Sequence, residues 1–438
     1  MFAGFVISTI LALAPGDSKL GAADELAWRE LMTAALATPN AKEHPDAAAK
    51  FDAFSIDDLI TASRKGPIYS RASTKPRTID GKTEEFEEFG DTISGYSFTV
   101  DGHVYRYAVN LPRKYDPKKS WPLLLDPGHG SASDDKTSIK AGMLDFYRGM
   151  ADRSGGKDWI VVRTEIIEQI GGGGIFEDKP EDEVVAVFDD FFRDLLSRFH
   201  VDLSEIRVAG ISQTGFWSWY LAAARPGRFA GLAPAGAVTW QVEPTLENLR
   251  NLAIYVAHGS VDKICPVEQP RNIVRRLAQV GATVEYAEIQ GAGHDVAVFG
   301  KIEDGLEFLS KHKRDPYPKE VSKAVANLDE GGWAYWLRVN ELEREDEGQA
   351  KKKRPAMGGI DGRIVGQEIQ LYSEGVERIT LCLASEMLDL SSEVTVIWNG
   401  KAVYKGKLQP SAATLLELVA IKSDWRGTFE AKLELSAP

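Results

Sequence analysis

The sequence predicts an α/β fold: a doubly wound, mostly parallel sheet, preceded by a helical segment and followed by a small antiparallel β-domain. Three observations point to it. Between Trp121 and Ile289, short apolar runs alternate with segments of helical spacing, the pattern of strands buried on both faces by crossover helices. Near the middle, Ile206-Arg207-Val208-Ala209 runs through Gly210-Ile211-Ser212-Gln213-Thr214-Gly215 into a helical stretch, which reads as strand, sharp turn, helix. Beyond Arg354 the pattern changes to short strands and turn residues.

The elements follow in order. Met1 to Ala14 is apolar and ends in Ala12-Leu13-Ala14, and a second small-residue site lies at Gly21-Ala22-Ala23, so residues 1–22 are expected to be a signal peptide for export to the periplasm or outside the cell. No basic residue precedes the apolar run, which keeps a cytoplasmic protein open as the alternative. Ala23 to Ala37 and Pro45 to Ser63 have helical spacing around the breaker Thr38-Pro39-Asn40, and Arg71 to Phe89 reads as a linker, so residues 23–90 form a helical prefix. Tyr96 to Val100 and His103 to Leu111 flank Asp101-Gly102, a hairpin turn. Within a catalytic domain over residues 91–315, strands are expected at Leu123–Leu125, Trp159–Val162, Ile206–Ala209, Leu252–Ala257 and Thr283–Ile289. Helices are expected at Lys140–Arg153, Glu181–Phe199, Phe216–Arg225 and Pro270–Gly281. Residues 316–355 form a connecting segment that includes the charged run Glu341 to Arg354. In residues 356–438, strands are expected at Ile364–Tyr372, Arg378–Leu383, Val394–Trp398, Lys401–Lys407 and Phe429–Leu435, with a turn at Asn399-Gly400 and one helix near Leu415–Ile421.

Bulk properties exclude several classes. A chain of 438 residues, 43% hydrophobic and 27% charged, is globular and long enough for two cores. A formal net charge of −13 leaves no basic face to displace counterions from phosphate, which excludes nucleic acid as partner. No later run reaches the ~18 apolar residues of a membrane span. Cys265 and Cys382 fall in different predicted domains and in no Cys/His cluster, so neither a disulfide framework nor a metal site is expected. Gly171 to Gly174 lacks the Gly-Lys-Ser/Thr of a phosphate loop, and is read as either a lid or a surface insert.

A sharp strand-to-helix turn exposes a hydroxyl, and small neighbours let strand and helix pass close beside it. Ser212 is therefore the candidate nucleophile, although Thr214 stands where the second glycine of G-x-S-x-G would be. A serine needs a base and a group that orients the base. The strand Leu252–Ala257 runs into His258-Gly259-Ser260-Val261-Asp262, and Thr283–Ile289 runs into Gly291-Ala292-Gly293-His294, giving Asp262 and His294 at strand ends in the order Ser, Asp, His. Asp262 could equally cap a helix, Asp295 is a competing acid, and His258 reads as a structural imidazole. An oxyanion hole would use the Gln213 amide, next to the nucleophile, with Ser131 or else Gly130 from the loop after the first sheet strand. Trp217 and Trp240 are candidates to line a substrate pocket.

GISQTG, HGSVD and GAGH, with HGS after the first strand, resemble the esterase and prolyl-oligopeptidase-like branch of the α/β-hydrolase superfamily. They are also similar to carboxylesterase/thioesterase-type enzymes, whose elbow is commonly G-F-S-Q-G-G. The resemblance spans Tyr96 to Lys313 and implies Ser212 as nucleophile, Asp262 and His294 as its partners, and no cofactor. Cleavage of a small or medium carboxylic ester is the expected activity. A peptidase is the alternative within the class, and a scaffold protein whose β-domain holds a polysaccharide or a protein is the alternative outside it.

Overall fold

The computed structural model describes residues 18–39, 43–69, 78–79, 82–83, 93–112, 115–128, 141–154, 158–170, 181–240, 242–325, 328, 332–343 and 358–438. The expectations for most of the signal segment, for Gly130 and Ser131, for Gly171–Gly174 and for most of the charged run lie outside these residues.

In chain order the helices are α1 (Ala22–Ala37), α2 (His44–Ala49), α3 (Ile56–Arg64), α4 (Ala141–Arg153), α5 (Ile166–Gln169), α6 (Glu181–Arg198), α7 (Gln213–Ala224), α8 (Glu268–Gln279), α9 (Val296–Phe299), α10 (Ile302–Ser310) and α11 (Ala412–Lys422). The strands begin with two short pieces, β1 (Thr78–Ile79) and β2 (Lys82–Thr83), and continue with β3 (Ile93–Val100), β4 (His103–Asn110), β5 (Trp121–Asp126), β6 (Ile160–Thr164), β7 (Val201–Ile211), β8 (Gly231–Ala235), β9 (Ala253–Gly259) and β10 (Thr283–Ile289). The remaining strands are β11 (Glu320–Val325), β12 (Gly332–Ala334), β13 (Leu337–Leu342), β14 (Gly358–Val365), β15 (Glu368–Glu374), β16 (Val376–Leu383), β17 (Val394–Trp398), β18 (Lys401–Gly406) and β19 (Ala431–Ser436). Among the described residues, no helix is long and apolar enough to cross a membrane.

The chain divides into two compact units. The smaller, Met1–Ile68 with Gln409–Ala431, is helical. Helix α11 buries Leu415, Leu416, Leu418 and Val419 and packs on α1 and α2, where Trp28, Met32, Leu36 and Ala48 are buried. The helix expected inside the β-domain therefore groups with the N-terminal helices. Helices α1, α2 and α3 all contact it. The Trp28 indole donates to Ser63 Oγ at 2.8 Å, so this core leaves no cost from a bare buried N–H there.

The larger unit, Tyr69–Leu408 with Lys432–Pro438, holds an eight-stranded sheet in the order β10-β9-β8-β7-β5-β6-β4-β3. Every pair from β10 to β6 is parallel, and β4 and β3 join antiparallel through the Asp101-Gly102 turn. Asp101 and Gly102 have φ of 48° and 83°, the left-handed pair that a two-residue hairpin turn requires. Strand β9, Ala-Ile-Tyr-Val-Ala-His-Gly, is buried at every residue, as a strand covered on both faces must be.

One central strand was not expected. β8, Gly-Leu-Ala-Pro-Ala, sits between β7 and β9, yet it lacks the β-branched residues that announce a strand. Its small side chains serve close packing. A Cβ on Gly231 would collide with the carbonyl of Ala253, and one on Gly305 of α10 would come within 2.8 Å of Tyr255 and 3.1 Å of Ala233.

Two smaller sheets follow, in the orders β11-β14-β15-β17-β18 and β12-β13-β16-β19. All their described pairs are antiparallel except β15 with β17. The single strand expected at Ile364–Tyr372 is the hairpin β14–β15, turned at Gly366 with φ 59°. Apolar alternation continues on both sides of that turn, so the pattern alone did not mark it.

Candidate active site

The turn between β7 and α7 is built from backbone constraints. Ser212 adopts φ 53°, ψ −115°, a region that costs a non-glycine residue about 1–3 kcal/mol. Its N–H donates to the Ala235 carbonyl of β8 at 2.9 Å, and its carbonyl accepts from Phe216 N at 3.0 Å, so strand and helix grip it from both sides. A Cβ on Gly210 would collide with the Thr214 carbonyl, and one on Gly215 would sit 2.8 Å from Ala237 Cβ. The close approach that needs a glycine thus falls at Gly215, which explains why Thr214 is tolerated. The Thr214 hydroxyl accepts from Ile211 N at 2.7 Å and donates to Ile211 O at 3.1 Å.

Asp262 follows β9 and His294 follows β10, two parallel neighbours whose carboxyl ends lie together. His294 Nδ1 is 2.8 Å from Asp262 Oδ2. The other carboxylate oxygen, Oδ1, accepts from Ile264 N and Cys265 N, each at 2.8 Å. Burial opposes ionisation of Asp262, but the Cys265 amide, His294 and the Ile264 amide outweigh it and hold its carboxyl below the usual range. An anion here fixes His294 with its proton on Nδ1 and leaves Nε2 as the basic nitrogen. The competing acid Asp295 is engaged elsewhere: its oxygens accept from Gly293 N and Ala297 N, each at 2.9 Å, and cap α9.

Two further groups complete this corner. His258 is fully buried, with Nε2 donating to the Cys265 carbonyl at 2.8 Å, and burial depresses its pKa so that it stays neutral. It therefore fastens the Asp262 loop without carrying charge. Asp262, Cys265 and His294 are ligand types within 4.8 Å of one another. However, burial and the Asp262 charge push the Cys265 thiol up to about 12, and Oδ1 of Asp262 is already taken by two amides. A neutral thiol and a saturated carboxylate make a hydrogen-bonded cluster, poorly suited to a metal cation.

Among the described contacts no hydrogen bond links Ser212 to His294; the link between them is indirect, through the end of β8. Ser212 N binds Ala235, and the next residue, Gly236, lies against the imidazole: a Cβ there would be 3.4 Å from His294 Cε1 and Nδ1 and 3.1 Å from Phe299. Phe299 in turn meets the His294 ring edge-on at 5.2 Å between centroids. A strained serine after one central parallel strand, with carboxylate and imidazole after the two outermost, is a topology with a name. The fold is that of an α/β-hydrolase.

No protein-family model matches the sequence, nor does any curated protein. Among solved structures, this chain is similar to a thermostable esterase, at 20% identity and a TM-score of 0.42 over 51% of this chain and 64% of the other. It is similar to a putative dipeptidyl aminopeptidase IV from Bacteroides ovatus at 16% identity and 0.41, over 50% and 36% of the two chains. It is also similar to a ferulic acid esterase from Anaeromyces mucronatus at 14% and 0.41, over 52% and 94%. The chain thus spans less than two thirds of the length of the first two.

Of the remaining expected residues, Gln213 opens α7 and is buried beside Ser212. Trp217 is buried in ring contact with Phe216 and Tyr220, and its indole N–H has no hydrogen-bond partner among the described residues. Trp240, just past β8, is 44% exposed. Sequence reasoning missed a polar cluster at the ends of β5 and β6. Asp126 and Arg163 form a buried ion pair, Gly128 N donates to Asp126 Oδ1 at 3.2 Å, and Thr164 Oγ1 donates to the Pro127 carbonyl. Asp126-Pro127 was its one visible signal, an acid at the end of a strand whose charge had to be met inside the protein.

Proposed function

We propose that this protein is a serine hydrolase that cleaves a carboxylic ester through an acyl-enzyme. The observation that carries the reading is the 2.8 Å contact of His294 Nδ1 with a buried, ionised Asp262, beside a serine held at φ 53°. Ser212 Oγ attacks the ester carbonyl as His294 Nε2 takes its proton, forming the C–O bond of a tetrahedral intermediate. The Gln213 N–H at the start of α7 faces the developing oxyanion, helped by the helix dipole. Collapse breaks the bond to the leaving alcohol, which receives the proton from His294. Water, deprotonated by the same nitrogen, then releases the acid and restores Ser212. Trp217 and Trp240 are assigned to the apolar part of the substrate, Trp217 by its place early in α7 and Trp240 as an exposed aromatic just past β8.

The test is labelling by a fluorophosphonate probe, with Ser212→Ala as control, followed by paired panels of aryl esters and amides. Labelled wild type and unlabelled variant are expected, with esters turned over faster. A folded wild type that takes no label would remove the reading, and faster amide turnover would turn it to a peptidase.

A further inference from the structure

We propose that Thr214 is a positioning residue for Ser212, its hydroxyl standing in for a missing strand at the end of β7. The inference rests on Ser212 as nucleophile and goes beyond it to how the turn is held. Successive residues of a strand direct their N–H and C=O to opposite sides. Ser212 N points to β8, where it meets Ala235 O, so Ile211 presents its amide and carbonyl toward β5. There β5 has already ended in register, since its pairing with β7 stops at Leu125 with Val208. Both Ile211 groups would lack a ladder partner at the residue before the strained serine.

Thr214 Oγ1 supplies both, accepting from Ile211 N at 2.7 Å and donating to Ile211 O at 3.1 Å. One atom that is donor and acceptor together is a hydroxyl, so glycine, alanine and valine cannot make this bridge and serine can. Thr214 lies in the first turn of α7, and the bridge closes a ring of four residues, Ile211 to Thr214, around the Ser212 backbone. In this chain the hydroxyl fixes the nucleophile's exit from the strand, at the position where a glycine would leave the Ile211 groups without this partner.

The experiment compares Thr214→Val, which keeps the shape, with Thr214→Ser, which keeps the hydroxyl. Fluorophosphonate labelling rate and kcat on an aryl ester are expected to fall about 10–100-fold in T214V, as for a misplaced reacting group, with KM little changed. T214S is expected to stay near wild type. Wild-type rates in folded T214V would overturn the proposal. So would an equal loss in T214S and T214V, which would assign the effect to methyl packing. If T214V does not fold, T214A against T214S makes the same comparison. Amide hydrogen exchange at Ile211, expected slow in wild type and T214S and faster in T214V, reads the bridge without any activity. An unlabelled wild type would therefore sink the serine-hydrolase reading alone, and unchanged exchange at Ile211 in T214V would sink the bridge alone.

Discussion

At Ser212 it is the backbone that is unusual, and at His294 it is the neighbours. The imidazole is held by Asp262 on one nitrogen and met edge-on by Phe299, and a side chain at Gly236 would crowd it. Two outcomes follow. Asp262→Asn keeps the shape but offers an N–H or a neutral oxygen to Nδ1, so kcat is expected to drop on the order of 10³–10⁴-fold with substrate binding kept, measured by steady-state kinetics. Gly236→Ala adds a methyl 3.1 Å from Phe299 and 3.4 Å from the imidazole, at φ 58°. It should cost roughly 1–2 kcal/mol for the left-handed backbone and reduce turnover further by pushing His294. A urea midpoint and a kcat equal to wild type would contradict both parts of that account.

Elements differ in how openly their sequences declare them. The hairpin turns Asp101-Gly102 and Asn399-Gly400 were legible because positive φ at both residues leaves few residue choices, and all four have it. That Ser212, Asp262 and His294 each follow a strand of the parallel sheet was legible from their place after apolar runs, and the carboxyl ends of parallel strands share one rim. β8 was not, because it is selected for small volume against β9 and α10, and that requirement looks the same as a loop of Gly, Ala and Pro. The Asp126–Arg163 pair was hidden for another reason: its residues are 37 apart in sequence and meet only because β5 and β6 are neighbours. The helix expected near Leu415–Ile421 starts earlier, at Ala412. Ser411 Oγ accepts from Thr414 N at 3.1 Å, so Ser411→Ala should cost about 1 kcal/mol, seen as a lower urea midpoint of the helical unit.

Across the whole molecule, buried titratable groups set how stability follows pH. His258 is held neutral by burial, so its folded pKa lies below the ordinary 6.5. As pH falls through the unfolded value, the unfolded chain takes a proton that the folded one refuses. Stability therefore declines, by at most about 1.4 kcal/mol per pH unit for one proton, and levels once the folded pKa is passed. His258→Asn, whose amide can still donate to the Cys265 carbonyl, should flatten the urea midpoint between pH 7.5 and 5 relative to wild type. Equal slopes would mean that another group carries the titration. Asp262 acts in a lower window: its depressed pKa gives stability that is present above the ordinary carboxylate range and lost as pH drops through the folded value.

The sheet order has a consequence for heat. Ser212 follows a strand with neighbours on both sides, while His294 follows β10, the outermost strand of the sheet, partly open to solvent along its length. Margins of a sheet loosen before its middle. On the proposed mechanism, warming should therefore silence turnover several degrees before the core melts, as His294 drifts away from a serine that is still in place, and cooling should bring the activity back.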